Sequence, residues 1–126
     1  MATIKEQQQY EKVGRLRKPV ADRIGRNAAD IYVDHSHLRH IVKNHAKDLA
    51  DLGLTPKMFV ELVVKNYNRI YKADRQALFL VIHNGYPKVT VIEMNYALKE
   101  DFYEVKTTSV RRKDFFNGKV LLWEKK

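Results

Sequence analysis

A chain of 126 residues with 44% hydrophobic content fits one domain with a single core. It holds no cysteine, which excludes disulfides, thiolate zinc sites and cysteine nucleophiles, and no apolar run approaches the roughly 20 residues that span a bilayer. Lys and Arg number 24 against 15 Asp and Glu, a net charge of +9 that suits a polyanionic partner, because phosphate contacts supply affinity independent of sequence.

Residues 1–13 are polar, rich in Gln and Glu, and are expected to be a frayed helix or disordered. They carry no apolar signal-peptide segment, so a soluble, cytoplasmic protein without a membrane partner is expected. The single domain then spans residues 14–126. Gly14, Pro19 and Gly25 break a basic stretch into a short strand at 13–16 and a short helix at 20–24. Residues 30–34 alternate apolar and polar side chains and predict a short strand. The sequence YVDHSHLRHIVKNHAKDL follows, holding four of the five histidines. Ser36 is placed to cap a helix over 37–52. Leu38, Ile41, Val42, Leu49 and Leu52 form its apolar stripe, and Gly53 stops it. Thr55 and Pro56 start a second helix, with Met58, Phe59, Leu62, Val63 and Tyr67 as its buried stripe.

The second half reads as strands at 69–72, 76–83, 88–98, 102–110 and 119–123, with Asn84–Gly85 suited to a type I′ hairpin turn. The expected architecture is α+β: N-terminal helices packed on one face of about four antiparallel strands, with the other face displayed to solvent. In strand 102–110, Tyr103, Val105, Thr107 and Ser109 are assigned to one face. Glu104, Lys106, Thr108 and Val110 take the other.

Two constellations carry chemistry. In the histidine helix, the spacing of His35, His37 and His40 misses the four-residue step that places two ligands on one helical face, so no metal is expected. Imidazoles suit acid–base work near neutral pH. On this reading His45 points into the apolar stripe, His40 lies at a cleft edge, and His35 and His37 are surface residues at the helix start. The other constellation is YEVKTTSVRR. Lys106, Thr107, Thr108, Ser109, Arg111 and Arg112 offer hydroxyls and cations suited to a phosphodiester. The five glycines are isolated, which excludes a P-loop.

The order KVGRLRKPV, DIYVDHSHLRHIVKNH, VKTTSV and KVLLWEK resembles the phage-associated branch of the barnase–EndoU–colicin–RelE-like ribonucleases over residues 14–126. The resemblance implies that fold and a metal-independent endoribonuclease without cofactors, a toxin or prophage accessory nuclease. Such an enzyme cleaves RNA by attack of the ribose 2′-OH on the adjacent phosphate. The residues matching its landmarks are His40 and His45 as base or acid. Thr108 and Arg111 would act at the phosphate, with Lys106, Thr107, Ser109 and Arg112 binding substrate. Glu104 would be the strand glutamate. RNA is then the partner, and a small acidic immunity protein or antitoxin the expected inhibitor. The alternatives are a non-catalytic basic nucleic-acid-binding module and a phage structural or interaction domain.

Overall fold

In β1 (Tyr10–Leu16) Val13 and Leu16 are buried among charged neighbours. In β2 (Ala29–Asp34) Ala29, Ile31 and Val33 alternate with more exposed residues, so each strand turns one apolar face inward. The computed structural model describes residues 10–97 and 101–125, with the side chains of residues 44, 45 and 48 outside that description. Of the polar segment 1–13, residues 10–13 already belong to β1.

Helix α1 (Lys18–Ile24) joins β1 to β2, which pair antiparallel. α2 (His35–Leu52) leaves β2 directly, turns at Gly53, and is followed by α3 (Pro56–Asn66). Then come β3 (Arg69–Lys72), β4 (Leu78–Ile82), β5 (Lys88–Ala97) and β6 (Phe102–Arg112), a 3-10 turn (Lys113–Phe116), and β7 (Leu121–Glu124).

The fold is α+β, but the sheet differs from the four antiparallel strands expected. It has seven strands in the order β1-β2-β6-β5-β4-β3-β7. It is mixed, because β2 runs parallel to β6, Ile31 opposite Tyr103. Nor do the helices come first: β1 precedes α1, and β2 precedes α2. The physical reason lies in β1 and β2. Each has an apolar face too small to be stable alone, and together they complete the sheet beside β6.

The helices cover one face. Phe59, Val60, Val63 and Val64 of α3 pack with Ile70, Leu80, Ile92, Met94, Tyr103 and Val105 of the sheet, and with Ile41 and Leu49 of α2. Met58, Leu62, Val42 and Leu52 are exposed instead of joining the stripes expected of them. A side chain at Gly14 would collide with Val64 Cγ1, so its bare backbone lets α3 close onto β1. β1 and β7 stand at opposite ends of the strand order. Yet Gly14 and Arg15 of β1 line one cavity with Trp123 of β7, across Val64 and Lys65 of α3. The sheet coils around α3.

The opposite face is only partly open to solvent: Thr107 and Arg111 of β6 are exposed there, but its middle is covered. Tyr71, Val81, Val89, Val91 and Phe116 form a second, smaller core, with Phe79 and Phe115 packed against it. The sequence FF in the 3-10 turn folds back to cover that face, Phe116 stacking on Tyr71 at 4.6 Å between centroids. The β4–β5 hairpin forms, but Gly85 alone in the 83–87 connection has positive φ, so the two-residue type I′ turn is absent.

Candidate functional site

Asp34 ends β2 in an extended conformation, and its carboxylate accepts the backbone N–H of His37 at 2.7 Å. Asp34, not Ser36, therefore caps α2, and the helix begins at His35. Its first turn passes over β6, the parallel neighbour of β2. There His37 Nε2 lies 3.0 Å from Thr108 Oγ1. The His40 ring stacks beside His37, centroids 6.3 Å apart and planes 25° apart.

A bulge in β6 brings Thr108 to that place. Val105 pairs with Met94 and Thr107 with Glu93, which leaves Lys106 as an extra, unpaired residue. Beyond the bulge Thr108 pairs with Ile92 of the helix-side core, while Thr107, Ser109 and Arg111 pair with Glu93, Val91 and Val89. Directly opposed residues share a face. Tyr103, Val105 and Thr108 thus face the helices, and Thr107, Ser109 and Arg111 the other side. The expected face assignment fails at Lys106, because one extra residue inverts the alternation beyond it.

The sequence YEVKTTSVRR is accordingly divided. Thr108 meets the histidine helix, and among the described residues it is the one buried polar side chain. Arg111 lies on the back face with its guanidinium 4.7 Å from the Phe115 ring centroid. Lys106 donates to Glu104 at 3.2 Å, and Glu104 also accepts from the Tyr10 hydroxyl at 3.2 Å. Arg112 is exposed and lies 3.7 Å from Asp114. His40 stands beside the contact with Thr108, whereas the side chain of His45 lies outside the described residues. His35 pairs at 3.2 Å with Glu11, away from Thr108.

His37 is the residue that sequence reasoning missed. Its position at the helix start predicts a surface residue. Its signal was the four-residue step to Ile41, which is buried and so fixes the face His37 shares. Burial pushes the His37 imidazole below the usual histidine value. Asp34 opposes that shift, a charge on His40 adds to it, and Glu104 opposes it. The ring is therefore neutral at pH 7, with one nitrogen able to accept a proton. Two imidazoles side by side are the residue types that acid–base work on a phosphodiester uses.

Further along β6, Val110 and Arg112 share the helix face. With Lys88, Thr90, Asp51, Leu52, Phe59 and the neighbouring Arg111 they line a groove of about 510 Å³. Among the described residues, no three His, Asp or Glu side chains converge as a metal-ligand set, and no helix is long and apolar enough to cross a membrane. Compared with known protein families, with curated proteins and with solved structures, the chain matches none.

Proposed function

We propose that the chain is a metal-independent endoribonuclease whose reacting groups are His37 and His40, with Thr108 positioning His37. The observation carrying this reading is the contact of His37 with the buried Thr108 beside a second, stacked imidazole. One neutral imidazole takes the proton from the ribose 2′-OH as the 2′-oxygen bonds to phosphorus. The P–O5′ bond breaks, and the other imidazole, charged, protonates the leaving 5′-oxygen. The products are a 2′,3′-cyclic phosphate and a free 5′-OH. Arg112 and Lys88, in the groove beyond Thr108, supply positive charge for the flanking phosphates. Arg111 borders the same groove but rests its guanidinium on the Phe115 ring, so this reading gives it no role at the reacting groups.

The test is incubation of the purified chain with RNA in excess EDTA, followed by end mapping. Cleavage leaving cyclic phosphate and 5′-OH ends supports the proposal. Binding of RNA that stays intact points to the non-catalytic module. That second reading has one observation in its favour: Lys106 is held by Glu104 instead of standing free for a phosphate.

A further inference from the structure

The cavity between the two outer strands lies apart from the histidine pair. Along β1, Tyr10 stands opposite Asp34 and Arg15 opposite Asp30. At about 3.3 Å per residue, the four steps of β2 from Asp34 to Asp30 place the cavity roughly 13 Å down the strand from the site at Asp34. Its volume is about 400 Å³, within the roughly 300–1,000 Å³ range of small-ligand sites.

Its lining is one-sided in charge. Arg15, Arg17, Lys65 and Lys125 contribute, and no carboxylate does. Arg15 is tied to Asp30 at 3.0 Å, while Arg17, Lys65 and Lys125 form no ion pair among the described residues. The chain brings these cations together from three regions: Arg15 and Arg17 at the end of β1 and the cap of α1, Lys65 in α3, and Lys125 just past β7. A backbone bond from Lys125 N–H to Asn68 O at 2.9 Å fixes the end of β7 beside the end of α3. Like charges gathered this way, without acids between them, repel one another until an anion enters.

The cavity also has an aromatic wall. Tyr67 and Trp123 meet at 5.4 Å between centroids with a 59° tilt, and both remain partly exposed. The Tyr67 hydroxyl is raised above the usual tyrosine value by burial, and the Arg17 charge opposes that rise, so cation and ring share the space. A flat π surface beside unpaired cations is the pairing that receives a base and its phosphate.

We propose that this cavity binds a nucleotide unit, the base against Trp123 and Tyr67 and the phosphate among Arg17, Lys65 and Lys125. The site stands whether or not the histidine pair cleaves RNA. Trp123 is the single tryptophan of the chain, so intrinsic tryptophan fluorescence reports on this cavity alone. The full chain is titrated with 5′-AMP, with a short oligoadenylate RNA and with inorganic phosphate. Saturable quenching is expected, and for the oligonucleotide it should weaken about tenfold as salt rises from about 0.05 to 0.2 M. Lys65→Glu and Arg17→Glu should each weaken it about tenfold or more, and His37→Ala should leave it unchanged. Saturation by 5′-AMP identifies a free nucleotide as sufficient. Saturation by the oligonucleotide alone identifies a residue of a strand. No saturable change with either ligand overturns the proposal, as does phosphate acting at the same concentration as 5′-AMP, or binding indifferent to both charge reversals.

Discussion

Thr107 and Thr108 are adjacent in the chain and lie on opposite faces of the sheet. Thr108 is 6% exposed, packed beneath α2 and in contact with His37. Thr107, with Ser109 and Arg111, faces the side on which Phe115 and Phe116 pack, and Thr107 and Arg111 stay exposed there. On the helix side a large aliphatic core surrounds the Thr108 hydroxyl, and burial there lowers the basicity of the His37 imidazole. On the back face, cations rest on aromatic rings: Arg111 at 4.7 Å and Lys119 at 4.6 Å from the Phe115 centroid. Such stacking holds a guanidinium in place and contributes about 0.5–1 kcal/mol at exposed sites. The same strand therefore offers a polar contact capable of acid–base work on one side and a packed, charged surface on the other.

The sharpest way to break this division is a paired substitution read by RNA cleavage. His37→Ala should lower the rate about 100-fold or more, the lower end of what a positioned general acid or base contributes. Thr108→Val, which keeps the shape and removes the hydroxyl, should cost less, about tenfold, because His37 stays but loses its orienting partner. Arg111→Ala should change the rate by no more than about twofold. Equal losses in His37→Ala and Arg111→Ala would show that the two faces act together and that the division drawn at Thr108 is false.

A second test addresses the back face through stability. Phe116 is 6% exposed and stacks on Tyr71. Phe116→Ala should cost about 3 kcal/mol in urea unfolding, through lost burial and the cavity left behind. The rate per folded molecule should stay as it was. A stability loss under about 1 kcal/mol would mean that the FF turn is only laid on the surface, and that the back face is open as the sequence first suggested.

Local signals were legible in the chain: Thr55 caps α3, Gly53 ends α2, and the apolar run at β4 became a central strand. What was not legible depended on pairing between distant segments. β2 reaches β6 across about seventy residues, and nothing local in DIYVD distinguishes a parallel partner from an antiparallel one. The bulge at Lys106 was equally hidden, because YEVKTTSV alternates acceptably with or without an extra residue. Of the candidate site residues, Thr108 and His40 do stand beside one another's element, and Thr107, Ser109 and Arg111 were carried to the far face by that single insertion. His37 was set aside because its place at the helix start outweighed the four-residue step to Ile41.

The smallest expected effect is a pH dependence confined to the helix side. The folded-state value of His37 lies below 6.5, chiefly through burial, with Asp34 and Glu104 opposing the shift and His40 adding to it. Folding therefore favours the neutral ring, while the unfolded chain takes up its proton near pH 6.5. The stability that His37 contributes is fully present above that pH. It declines as the medium becomes more acidic, and is lost once the pH passes through the lower folded value. Urea midpoints measured between pH 8 and pH 5, for the natural chain and for His37→Gln, isolate this contribution as the difference between the two curves. The natural chain should lose more stability on acidification than the variant. The opposite slope would mean that the carboxylates of Asp34 and Glu104 outweigh burial and hold His37 charged. His37 would then enter the reaction as the acid, leaving His40 to act as the base.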